Sequence, residues 1–217
     1  MKMKELKNID FWEDFALGDT PESYKKWFEA ERKYLRNVVT KGASVLDVAC
    51  GKGRNMNDIV DITDNLVGID HEKKAIEDAK NNFKDYPRVK FLLADAKKLP
   101  FENDRFDFVI CMASFANFGD YKIKALNEMK RVVKKSGLII LSVFSEDAFE
   151  ERIELYKKAN APIKKIKGTT VIFDEMSDNV SEQFSKKELE DLFEQAGLKI
   201  LDIKKVSIAY VCKAKKK

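Results

Sequence analysis

Histidine is almost missing from this chain of 217 residues, with His71 the single one. That removes multi-histidine metal centres and most Ser-His-Asp and Cys-His schemes, and no bound metal is expected. Cysteine is scarce as well. The three cysteines, Cys50, Cys111 and Cys212, are widely spaced and read as free thiols of a reducing, cytoplasmic compartment rather than as a disulfide framework. No apolar run reaches the length of a membrane span and no signal-peptide pattern is visible, so no membrane partner is expected. Excess charge of one sign is also lacking. Lys+Arg 41 nearly cancels Asp+Glu 37, and the formal net charge of +4 is too small to argue for nucleic acid. The hydrophobic content of 44% supports a sizeable core, and the length suits one α/β domain over residues 1–217.

The most informative stretch is Val45-Leu46-Asp47-Val48-Ala49-Cys50-Gly51-Lys52-Gly53-Arg54-Asn55. An apolar strand runs into two glycines spaced by one residue, and a helix-starting segment follows. Glycines there allow a sharp turn and let a ligand lie against bare main chain, while the next helix aims free N–H groups into the crevice. The third small residue of a dinucleotide fingerprint is absent, its place taken by Met56, and Gly51-Lys52-Gly53 is not a phosphate-cradling loop. A nucleoside without a pyrophosphate fits better. Asp70 closes a second apolar strand, Leu66-Val67-Gly68-Ile69-Asp70, where an acid grips a ribose diol. A third strand ends at Asp95-Ala96, placed to accept from an adenine amino group. Taken singly, a strand-end aspartate is as readily a helix cap or turn residue.

Three acid-terminated strands at these intervals resemble the class I S-adenosylmethionine-dependent methyltransferases over residues 44–144. Asp47-Val48-Ala49-Cys50-Gly51-Lys52-Gly53 looks like that family's first motif, with Ala49 where many members carry glycine. Phe106-Asp107-Phe108-Val109-Ile110-Cys111-Met112 looks like its fourth strand. The resemblance implies a Rossmann-like, doubly wound, seven-stranded sheet, mostly parallel with an antiparallel last strand, under an N-terminal helical lid. It implies S-adenosyl-L-methionine as cofactor and S-adenosyl-L-homocysteine as product. The cofactor-binding residues it implies are Asp47, Ala49, Gly51, Gly53, Arg54, Asp70, His71, Asp95, Ala96, Cys111 and Met112.

A narrower resemblance lies at the N-terminus. Trp12-Glu13-Asp14-Phe15-Ala16-Leu17-Gly18-Asp19-Thr20 and Tyr24-Lys25-Lys26-Trp27 look like the entry segment of glycine N-methyltransferases, which implies that Trp12 contacts the cofactor. The chain departs from that family where it holds a substrate carboxylate. Phe144 stands at the position of an arginine after strand five, and a substrate-binding asparagine is missing between Cys111 and Ser114. An aromatic or apolar acceptor, or an amine without a carboxylate, is therefore expected in place of glycine. The arginine that would reach the cofactor's carboxylate is absent too, leaving Arg32, Lys52 or Arg54 to replace it.

The remaining pattern places strands near 44–50, 65–70, 89–95, 106–112 and 138–144, and helices near 21–39, 54–62, 71–86 and 122–135 with Gly137 as a helix stop. Thr20-Pro21 reads as N-cap and first helical position. A charged helix is expected over 146–160, a strand pair over 169–173 and 179–184, a capping box at Ser185-Lys186-Lys187-Glu188, and closing strands near 198–206 and 207–213. Residues 1–40 form the lid and 145–184 an insertion over the acceptor site. Phe11, Phe15, Tyr24, Phe115, Asn117 and Phe144 are its candidate substrate-binding residues, although any single aromatic among them suits the core of the lid better. Methyl transfer from a sulfonium needs alignment rather than a dedicated nucleophile, so no catalytic side chain is assigned. The expected enzyme methylates a small molecule and is a monomer or homodimer. A tRNA- or rRNA-modifying methyltransferase and a non-catalytic S-adenosylmethionine-binding module are the alternatives. The first is disfavoured because Cys111-Met112-Ala113-Ser114-Phe115 lacks the proline pair of base N-methylases.

Overall fold

The computed structural model describes residues 21–174 and 180–217. Its centre is a seven-stranded sheet built from β1 (Val45–Val48), β2 (Leu66–Asp70), β3 (Lys90–Leu93), β4 (Phe106–Met112), β5 (Val133–Phe144), β9 (Leu198–Val206) and β10 (Ala209–Lys216). The strand order is β3-β2-β1-β4-β5-β10-β9. β1 pairs in parallel with β2 and β4, β2 with β3, and β4 with β5. β10 runs antiparallel to both β5 and β9 and is inserted between them. β1 and β2 are buried at every position, as strands covered on both faces require.

Helix α1 (Glu22–Val38) packs Tyr24, Trp27, Glu31 and Leu35 inward, a spacing of three to four residues that is one helical face. Pro21 takes the N-cap position, one residue later than the sequence reading placed it, and its carbonyl accepts from the Tyr24 and Lys25 N–H groups. The helices over the sheet are shorter than expected: α2 (Arg54–Asn57), α3 (Lys73–Asn82) and α4 (Lys122–Val132). Gly137 is not a helix stop. It lies inside β5, which begins at Val133, and a Cβ there would come within 2.7 Å of the Asp107 carbonyl of β4. Close strand approach, not helix termination, requires glycine at this position.

After β5 come α5 (Phe149–Lys158) and a small antiparallel sheet of β6 (Ile163–Lys167), β7 (Thr170–Phe173) and β8 (Val180–Ser181). The expected pairing of 169–173 with 179–184 is present, with Val171 opposite Ser181. β6 is an additional strand. α6 (Lys186–Gln195) starts on the expected capping box, with the Ser185 Oγ accepting from the Glu188 N–H at 3.2 Å. It stops before Gly197 at φ +68°. No helix among the described residues is long and apolar enough to cross a membrane.

Candidate functional site

The loop after β1 supplies the site's floor. Ala49, Gly51 and Gly53 have φ of 59°, 52° and 91°, all in the left-handed region. At Gly53 a Cβ would also lie 2.6 Å from the Phe83 ring, so both conformation and space demand glycine there. Ala49 takes such a conformation with a side chain, which few residues do without cost. Asp70 holds the loop from β2. Its Oδ2 accepts from the Gly51 N–H at 2.9 Å and its Oδ1 from the Glu72 N–H at 3.0 Å. Each oxygen keeps a second lone pair. His71 is exposed, with Nδ1 3.5 Å from the Asp70 carboxylate.

Asp47, within β1, is fully buried and neither carboxylate oxygen has a hydrogen-bond partner among the described residues. Burial raises its carboxyl well above the usual range. The Arg54 charge works against this rise, and the charges of Asp70 and Glu31 add to it. Arg54 opens α2 and reaches the Glu31 carboxylate at 2.8 Å, its guanidinium 4.3 Å from the Phe28 ring centroid. Glu31 is fully buried as well and accepts from the Ser142 hydroxyl of β5, which in turn accepts from the Ala113 N–H at 2.8 Å. Ala113 has φ 63°, so the turn after β4 is strained in the same sense as the one after β1. The Oδ1 of Asn55, which follows Arg54 in α2, is a further buried atom without a partner among the described residues.

The third acid is placed differently. Asp95 follows β3 and accepts from the Lys97 N–H at 2.8 Å, with the Lys97 ammonium 3.2 Å away. Burial pushes its carboxyl up, but the Lys97 backbone and ammonium outweigh this and hold it below the usual range. Ala96 packs partly buried against the core. At the end of β4, Cys111 and Met112 are buried. Burial pushes the Cys111 thiol well up, and the charges of Asp47, Asp70 and Glu31 raise it further, so it is a protonated, apolar residue.

The residues assigned to the acceptor side divide. Phe115 is fully buried against Phe118 and Phe184 and belongs to the core. Asn117 is partly exposed. Tyr24 and Phe144 come together: Phe144 meets Tyr24 at 5.9 Å and Trp27 at 4.9 Å between ring centroids. The segment after β5 is tied across these strand ends by the Phe184 N–H on the Phe144 carbonyl and the Glu182 N–H on the Ala116 carbonyl, both 3.0 Å. Phe11, Trp12 and Phe15 lie outside the described residues.

Glu31, Asn55 and Ser142 were not singled out by sequence. Glu31 sits in a helix dense with charge, where a glutamate reads as solvated. The one available signal was that it follows Tyr24, Trp27 and Phe28 at helical spacing.

Comparison with known proteins fits this geometry. Residues 39–197 match a family described as a methyltransferase domain. The demethylmenaquinone methyltransferase of Staphylococcus aureus is 31% identical over 185 residues, covering 81% of this chain and 75% of the relative. A Pyrococcus horikoshii structure superposes with a TM-score of 0.73 at 24% identity, covering 91% of this chain and 93% of the other. An S-adenosylmethionine-dependent methyltransferase from Clostridium acetobutylicum gives 0.68 at 17%, with 95% of each chain covered. A carboxylate buried within β1 without a partner among the described residues, bare backbone at the glycine turn and matched residues spanning both lead to one family, and the chain belongs to it: it is an S-adenosylmethionine-dependent methyltransferase.

Proposed function

We propose that this enzyme methylates a small-molecule acceptor bound at the C-terminal ends of β4 and β5, by in-line transfer promoted through proximity. The observation that carries the reading is the covering of the β5 end. Phe144 packs against Tyr24 and Trp27 of α1, and its carbonyl accepts from the Phe184 N–H. A strand end covered in this way suits a compact aromatic or apolar molecule better than a nucleic-acid strand. The Staphylococcus aureus relative, named for its action on demethylmenaquinone, agrees with a small acceptor.

The residues present fit S-adenosylmethionine. The orphaned Asp47 oxygens offer acceptors to an ammonium group, Gly51 and Gly53 leave main chain bare, and Asp70 retains lone pairs for a ribose diol. Arg54 is the cation in place for a carboxylate, and His71, Asp95 and Ala96 border the nucleoside side. The cofactor supplies a methyl group already activated on a sulfonium. What the protein adds is orientation, for which well-aligned systems gain on the order of 7–11 kcal/mol, and exclusion of water by α1. The protonated Cys111 provides no nucleophile.

The test is calorimetric titration with S-adenosylmethionine and S-adenosylhomocysteine, followed by labelled methyl transfer to a panel of amines, phenols, hydroquinones and bulk tRNA. Transfer to a small acceptor is expected. Transfer to tRNA alone, or tight cofactor binding with no acceptor methylated, would overturn the reading.

A further inference from the structure

Arg152 on α5 is fully buried, yet its hydrogen-bond partners are neutral: the Gln183 Oε1 at 2.8 Å and the Ser181 carbonyl and hydroxyl at 2.7 and 2.9 Å, with the Thr169 carbonyl at 3.4 Å. No ion pair joins it to a carboxylate among the described residues, and its Nε has no partner. Stapling the β7–β8 hairpin explains the terminal nitrogens but not the charge, because uncharged donors would serve and a buried cation without an anion is costly.

The surroundings repeat the deficit. The guanidinium lies 4.8 Å from the centroid of the Phe144 ring. On the two rings that pack against it, two more buried polar atoms lack a partner among the described residues: the Tyr24 hydroxyl and the Trp27 Nε1. Native interiors leave few such atoms, and with the Arg152 Nε three are gathered about one ring. All three can donate hydrogen bonds. The cluster sits along α1 from Glu31, where Tyr24 to Glu31 spans seven residues, or roughly 10 Å of helix.

We infer that the Phe144 region is an oxyanion subsite, and that the methyl acceptor carries a carboxylate or an ionised enol or phenol held by Arg152 and Tyr24. This rests on the small-acceptor reading and reverses one expectation drawn from sequence. The arginine lost from position 144 is replaced by Arg152 from the next helix, so Phe144 does not exclude an anionic acceptor. It is the platform on which the cation lies.

Matched pairs in the presence of saturating S-adenosylhomocysteine test this by calorimetry. The probes are 3,4-dihydroxybenzoate against its methyl ester, and 1,4-dihydroxynaphthalene against its dimethyl ether. In at least one pair the ionisable member is expected to bind about tenfold tighter or better, as charge-assisted bonds do. The first pair reports a carboxylate and the second a phenolate. Arg152→Gln is expected to abolish the preference and Arg152→Lys to restore part of it, with S-adenosylhomocysteine affinity unchanged in both. Should Arg152→Gln fail to fold, Tyr24→Phe removes only an unpartnered hydroxyl, and is expected to cut the preference about threefold without lowering Tm. Equal binding of both members in both pairs, or a preference that survives these variants, overturns the inference while leaving the methyltransferase intact. Failure of the wild type to bind S-adenosylhomocysteine would instead strike the cofactor assignment on which it stands.

Discussion

Two stretches of α1 face two kinds of buried charge. Near Glu31, in the middle of the helix, the buried charged residues are acids: Glu31, Asp47 within β1 and Asp70 at the end of β2. Near Tyr24, at the end of β5, the buried charge is the guanidinium of Arg152. The acidic end meets Arg54, which is only partly buried, and is left with surplus negative charge. The other stretch has a guanidinium whose partners are all neutral, and donors without an acceptor among the described residues. A cationic cofactor and an anionic acceptor would each complete the end it meets. The difference teaches that this fold leaves both charge deficits open, at some cost to the unliganded protein.

The comparison is broken most severely at Phe144. Phe144→Ala removes the ring shared by Tyr24, Trp27 and Arg152, and should cost about 3–5 kcal/mol in urea unfolding. A loss under about 1 kcal/mol would show that the ring is not packed as described. At the acidic end, Glu31→Ala takes the carboxylate partner from Arg54 and the acceptor from the buried Ser142 hydroxyl, for an expected loss of about 1–3 kcal/mol by the same measurement. An unchanged midpoint would remove Glu31 from the account of how α1 is held.

Smaller effects sharpen the comparison through ligand binding. Asp70→Ala should weaken S-adenosylhomocysteine by about tenfold or more in calorimetry, near 1.4 kcal/mol. It loses both the ribose acceptor and the Gly51 anchor. Asp47→Asn is the subtlest and has the opposite sign for stability. The folded chain holds the Asp47 proton at pH values where the unfolded chain has released it, because burial raises this carboxyl. The wild-type contribution is thus fully present below the ordinary carboxylate range and is lost as pH rises through the raised value. Asp47→Asn should gain about 1 kcal/mol over wild type at neutral pH, with the gain shrinking on acidification, while S-adenosylmethionine binds more weakly. A gain independent of pH would mean that Asp47 is not buried as an unpaired acid.

How far the sequence reaches differs between the same two ends. β1 and β2 are apolar runs followed by a glycine turn or closed by an acid, and β4 is an unbroken apolar run, so all three could be placed from composition alone. β5 was placed only in its second half. Residues 138–144 are apolar, whereas Lys134 and Lys135 read as the end of a helix stopped at Gly137, and the register against β4 shifts between Val133 and Leu138. β6 was missed because Ile163-Lys164-Lys165-Ile166-Lys167 alternates poorly and is mostly exposed. Glu31 and Arg152 share one reason for being overlooked. Each sits in a charged helical stretch, and burial of a charge is a tertiary fact that local pattern does not carry. Phe115 was misread in the other direction, because aromatic residues after β4 suit pocket and core alike.

β9 reaches the sheet only through β10, which pairs with β5 from Phe144 opposite Ala209 onward. From Phe144 to Ala209 is 209 − 144 = 65 residues. At roughly 5–20 residues per second of synthesis, the nascent chain therefore carries β5 for several seconds before the strand that covers its open side exists. Through that interval the sheet ends in a bare ladder of N–H and C=O groups, and the ribosome, not the folded protein, sets how long it stays so.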